Sequence, residues 1–189
     1  MDSSNPIWSF IREILQTVII SLAVFFFFYV FVMQPHRVRG QSMMPNFSDG
    51  ELLLTEKVSY YMGDPNRGDV IVFKAPIAGN LGKRDFIKRI IGLPGEIVRI
   101  TDGQIYINDQ KLIESYETQE TGGNIDISLS EDQYFVLGDN RNSSSDSRTF
   151  GTIKRGSVKG RTFLVYFPFN KIRFVSGTHY GVSDSFDNR

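Results

Sequence analysis

Three groups of residues in this 189-residue chain have types and spacings that could do chemistry. The first is Ser42, in Gly40-Gln41-Ser42-Met43-Met44-Pro45. Glycine allows close backbone approach there and proline stiffens the turn, so the hydroxyl could be presented as a nucleophile. A serine in a loop is also an ordinary turn residue, and the surrounding residues do not match the G-x-S-x-G elbow of α/β-hydrolases. The second is Lys88, in Phe86-Ile87-Lys88-Arg89-Ile90-Ile91. Strand alternation puts Lys88 on one face with Phe86 and Ile90, and Arg89 on the other. If the Lys88 face is buried, desolvation lowers the lysine pKa and suits it to act as a general base. The competing reading is a solvated basic patch of Lys83, Arg84, Lys88 and Arg89. The third is the polar run from Gly138 to Arg148, whose hydroxyls and acid–base alternation could orient a neutral lysine or could merely connect strands.

Other chemistries are excluded by composition. There is no cysteine, which rules out disulfides, thiolate metal sites and cysteine nucleophiles. His36 and His179 are the only histidines, one at the end of an apolar run and the other in a polar tail. Both read as solvated or interfacial, so a Ser-His-Asp arrangement is disfavoured and no metal is expected. Lys plus Arg and Asp plus Glu are equal at 21 each, and this neutrality argues against nucleic acid as a partner.

These residues have to be positioned by two kinds of element. Residues 1–13 form a short N-terminal segment, and Ile14 to Met33 contains no charged side chain. Twenty helical residues span about 30 Å, the hydrocarbon thickness of a bilayer, so residues 14–33 read as one retained transmembrane helix. The bulky Phe31-Val32-Met33 that precedes Gln34 offers no small-residue cleavage site. Beyond it the pattern becomes short apolar, β-branched runs: residues 51–55, 69–73, 86–91, 96–100, 104–107, 134–137 and 162–167. Asp102-Gly103 is a two-residue hairpin signal. Residues 114–132 read as a polar surface excursion and 176–189 as a polar tail. The expectation is a mainly β chain: one N-terminal transmembrane helix, then a compact all-β, barrel-like catalytic domain over residues 34–175.

Four blocks in this order after one N-terminal span resemble the bacterial type I signal peptidases, the branch that uses a Ser-Lys dyad. They are Ser42-Met43-Met44-Pro45, Arg67-Gly68-Asp69-Val70-Ile71-Val72-Phe73, Phe86 to Gly95, and Gly138-Asp139-Asn140-Arg141 through Asp146-Ser147-Arg148. The resemblance implies that Ser42 attacks the scissile carbonyl and neutral Lys88 takes its proton. It implies that Ser144 orients the lysine, while Arg89, Asp139, Asp146 and Arg148 pair to hold the site together. Met43 and Ile87 would line shallow subsites for small side chains, and the Ser42 amide would serve the oxyanion. Gly40 stands where some members carry a hydroxyl.

The implied activity is removal of signal peptides from exported preproteins after Ala-x-Ala, with no metal or other cofactor. The implied partners are preprotein signal peptides and the lipid bilayer; an oligomeric state is not implied. The implied location is the cytoplasmic (inner) membrane, with the catalytic domain on the extracytoplasmic side. Arg37 and Arg39, set against the single Arg12, would by charge alone put that domain in the cytoplasm. A self-cleaving repressor domain shares the dyad but pairs it with a DNA-binding module. The rival from a different class is a non-catalytic, membrane-tethered β domain that binds peptides or assembly partners.

Overall fold

The structure is a computed structural model that describes residues 6–27, 29, 33–76, 83–114 and 119–175. Its one long helix, α1 (Pro6–Phe27), is 22 residues long with no buried residue, and is apolar enough to cross a membrane. It starts ahead of Ile14, the expected start. Proline at the first helical position loses no hydrogen bond, and Arg12 and Glu13 are good helix formers that do not interrupt it. At the other end Met33 opens strand β1 (Met33–Arg37) rather than closing the helix. Pro35 has no amide to donate and would break a helix there, whereas an edge strand accommodates it.

The remainder is mainly β, as expected. It consists of β2 (Leu52–Glu56), β3 (Val70–Pro76), β4 (Lys83–Gly92), β5 (Ile97–Thr101), β6 (Gln104–Ile107) and β7 (Gln110–Lys111). These are followed by β8 (Ile125–Ser128), β9 (Gln133–Leu137), β10 (Ile153–Lys154), β11 (Val158–Phe167) and β12 (Arg173–Phe174). Two single-turn helices interrupt them, α2 (Ser59–Met62) and α3 (Ser147–Phe150). The larger sheet runs β1-β2-β11-β3-β4-β9-β10, with β12 against β11; the smaller runs β7-β6-β5-β8. Among the described residues neither sheet closes into a barrel. Register shifts in β11 and β4 bend the larger one.

Alternation along the central strands fills three cores. Phe135 and Leu137 of β9 face the smaller sheet with Ile91, while Tyr134 and Val136 pack with Ile71, Phe73 and Ile90. Val70 joins Val38, Met43, Phe47, Leu53 and Val165 in the third core. Strands buried on both faces explain the continuous apolar runs. Asp102 and Gly103 both have positive φ, as a tight hairpin turn requires, and join β5 to β6.

Residues 114–132 are not simply a surface excursion. Ile125–Ser128 pairs with β5, Leu129 is buried in the core beneath it, and Thr121 is buried as well. Ile125, Ile127 and Leu129 alternate with Asp126 and Ser128, a half-buried strand pattern. The tail 176–189, with His179, lies outside the described residues, as does 115–118.

Candidate active site

Ser42 is carried on the loop between β1 and β2. Its neck is closed by Val38 N to Glu51 O (2.9 Å) and Gly50 N to Val38 O (3.0 Å). Met43 and Phe47 anchor the loop by burying their side chains, so Ser42, between exposed Gln41 and buried Met43, is held half-exposed. Gly40 turns the chain at φ +85° and donates to Asp49 Oδ1 at 2.7 Å. Position 40 therefore offers a turn and no hydroxyl.

Lys88 comes from β4, opposite Ile71 of β3, and is 2% exposed. Its Nζ lies 2.7 Å from Ser42 Oγ, 2.9 Å from the Ile87 carbonyl it donates to, and 5.6 Å from the centre of the Phe86 ring. Burial among these groups lowers its pKa to about 8, against a partial opposing pull from Asp146 and then Asp139. A protonated Lys88 donates to Ser42 Oγ. Once neutral, the same nitrogen can accept the serine proton across the same distance.

Arg89 lies on the opposite face, as alternation requires, yet it too is interior at 3% exposed. Its guanidinium grips Asp139 with Nε to Oδ1 at 2.8 Å and Nη2 to Oδ2 at 2.6 Å, and Nη1 donates to the Gly68 carbonyl. The solvated basic patch of Lys83, Arg84, Lys88 and Arg89 does not form, because two of its four members are buried.

The polar run 138–148 folds back on itself. Asp146 caps α3 through Arg148 N (3.2 Å), accepts from Arg148 Nε (2.9 Å) and Nη2 (2.8 Å), and takes the Gly138 amide (3.2 Å). Two contributors were not anticipated. Arg141 is buried against Glu114 (2.7 and 2.6 Å) and Thr121 (2.6 Å), tying the run to the small-sheet side. Asn140 donates its amide to Ser42 O (3.0 Å) and its side chain to Gln41 O (3.1 Å), fixing the nucleophile loop from behind. Asn140 and Arg141 lay inside the run already singled out by its composition. No sequence signal links Glu114 or Thr121 to it.

Ser144 is the residue expected to orient the lysine. Its hydroxyl is buried and has no hydrogen-bond partner among the described residues. It fills the space where a side chain on Gly138 would project, beside the Ser42 carbonyl. The structure therefore brings Ser144 next to the Ser42 loop, while Lys88 Nζ is hydrogen-bonded to Ser42 Oγ and to the Ile87 carbonyl.

Ser42 and Lys88 open onto a groove of about 940 Å³ that Met43, Ile87, Phe86 and Ser145 also line. Curvature of the larger sheet brings Pro35 and His36 of β1 to its far wall, although β2, β11 and β3 separate β1 from β4. His36 is half-buried there, and burial lowers its pKa, partly countered by Asp85. Strand β9 pairs with β4 only from Arg89 onward. The stretch before it has β3 on one side and the groove on the other.

The family model described as signal peptidase, peptidase S26, matches residues 11–167. Signal peptidase I of Bacillus licheniformis is 34% identical over 184 residues, covering 91% of this chain and 95% of that protein. Signal peptidase I T of Bacillus subtilis (strain 168) is 37% identical over 155 residues, covering 76% and 78%. The crystal structure of a signal peptidase I from Enterococcus faecalis V583 is 35% identical. It covers 52% of this chain and 97% of that one, with a TM-score of 0.46.

Proposed function

The chain belongs to the signal peptidase family, peptidase S26, and from that premise we propose that it removes signal peptides from preproteins with Ser42 as nucleophile and Lys88 as general base. The observation that carries the residue assignment is the 2.7 Å contact between a buried lysine of lowered pKa and a serine facing an open groove. Neutral Lys88 takes the Ser42 proton as Oγ attacks the scissile carbonyl. The ammonium then protonates the departing amine, leaving an acyl-enzyme. Lys88, neutral again, takes a proton from water as its oxygen attacks the ester, and returns that proton to the departing Ser42 Oγ, which restores the hydroxyl and the neutral amine. The Ser42 amide is the available oxyanion donor on the loop, and no second one comes from Gly40.

Arg89, Asp139, Asp146 and Arg148 hold the walls of the site, and Ser144 packs behind the nucleophile rather than on the lysine. An extended substrate can lie beside the unpaired stretch of β4 before Arg89, with alternate side chains toward Met43 and Ile87. Subsites lined by these residues suit the small side chains of Ala-x-Ala. Helix α1 would anchor the enzyme in the cytoplasmic membrane, with residues 34–175 as the catalytic domain on its outer side, where exported preproteins emerge.

The test is cleavage of an Ala-x-Ala preprotein by the full-length protein in detergent, beside Ser42→Ala and Lys88→Ala variants whose folding is checked by circular dichroism. Wild type should cut after the second alanine. Each variant should lose on the order of 10⁴-fold or more in kcat, because the pair acts as a unit. Variants that cut as fast as wild type would overturn the dyad and favour a peptide-binding role.

A further inference from the structure

The chain has no net charge, but the groove at Ser42 is far from neutral. Arg37, Arg39, Lys74 and Arg84 all line it, all are exposed, and none makes an ion pair among the described residues. The one acidic side chain on the lining, Asp85, is bound by Lys159 at 2.7 Å. Lys74 stands across from Asp85 in the β3–β4 register without pairing to it. Elsewhere in the domain arginines are matched, as at Arg89–Asp139, Arg141–Glu114, Arg161–Glu56 and Arg173–Glu51. Four unmatched cations facing one cleft therefore stand out against a surface on which charges are otherwise largely paired.

We infer that this basic rim selects among substrates by charge: acidic residues flanking the Ala-x-Ala site are favoured and basic ones disfavoured. The inference rests on the peptidase reading above. A polypeptide is the occupant the observations favour, because the cations surround the same cavity that holds Ser42 and Lys88. Arg84 lies four residues from Lys88 along β4, about 13 Å at strand rise, so it meets a substrate side chain roughly four positions from the cut. The rim is solvated, so each ion pair is weak and screened by salt. The sum of several cations acts mainly on capture of substrate and hence on kcat/KM.

The test uses full-length protein in zwitterionic detergent and peptides sharing one Ala-x-Ala site. Two aspartates, two asparagines or two lysines are placed three to five residues before the cut, or in a second series after it. At low ionic strength kcat/KM should fall from Asp to Asn to Lys, about 3–10-fold per step in at least one series, and the spread should collapse in about 0.5 M salt. In the Arg39→Gln/Arg84→Gln variant the Asp-to-Lys ratio should shrink toward one. Equal rates for all three peptides in both series would overturn the inference while leaving the peptidase reading intact. Failure of wild type to cut even the Asn peptides would remove that reading and this one with it. Equal peptide rates together with binding to phosphatidylglycerol vesicles that the double variant loses would assign the rim to lipid and refute a substrate role.

Discussion

Titrating Lys88 probes the proposed chemistry most directly, since catalysis needs its neutral form and burial decides how much of that form exists. With a pKa of about 8, the neutral fraction is about 1% at pH 6, about 10% at pH 7 and about 90% at pH 9. At the ordinary value of 10.5 it would be about 0.03% at pH 7, so burial enlarges the reactive fraction roughly 300-fold, equivalent to about 3 kcal/mol. The sign follows from the group: protonation removes the base, so activity is lost toward acid and gained toward alkali. The assay is kcat/KM from pH 5.5 to 10 at constant ionic strength, on an Ala-x-Ala peptide with no titratable side chain near the cut. The rate should rise about tenfold from pH 6 to 7 and bend to a plateau between pH 7 and 9. A plateau already reached by pH 6 would indicate a carboxylate or imidazole base. A rise continuing unbent to pH 10 would mean that Lys88 is not desolvated. Either result refutes the burial argument.

The same desolvation should be legible in stability. Because the folded pKa of about 8 lies below the ordinary 10.5, Lys88 carries no penalty above about pH 10.5, where both states are neutral, and a growing one as pH falls to about 8. Lys88→Met should therefore unfold at higher denaturant than wild type at pH 7, by up to about 3 kcal/mol, with the gain vanishing toward pH 11; a less stable variant at pH 7 would contradict this. Gly138→Ala should damage the site through packing, since the added methyl would collide with the Ser42 carbonyl and the Ser144 hydroxyl. We expect roughly 100-fold loss in kcat with a stability cost of about 1–3 kcal/mol, and wild-type kinetics would show that the nucleophile loop is not held there.

Much of this was legible from local pattern. Short apolar, β-branched runs located seven strands because their side chains face the core on one or both sides, and strand alternation ordered their faces. Alternation also put Lys88 and Arg89 on opposite faces. What local pattern could not show was what covers each face. Alternation puts Arg89 on the face away from Lys88, and only the tertiary fold buries that face too, with Arg89 against Asp139, 50 residues away. β8 was hidden because Asp126 and Ser128 made its segment read as polar, although Ile125 and Ile127 pack on the core. The described helix Pro6–Phe27 reaches ahead of the charge-free window that starts at Ile14, because such a window marks lipid preference, whereas Arg12 and Glu13 are compatible with helix. Ser144 was identified by position in a motif, and position does not specify which neighbour a hydroxyl will find.

The tie between Asn140 and the Ser42 loop has a consequence for when this protein can act. Ser42 meets its base 46 residues further on, and Gln41 is bonded by Asn140, 99 residues away. Contacts this distant form late, after loop closure has brought most of the β domain together. The first half of the chain already contains Ser42 and Lys88, but not the strap that steadies the loop bearing Ser42. The loop bearing Ser42 is therefore steadied by Asn140 only once residues past 140 have been made and folded.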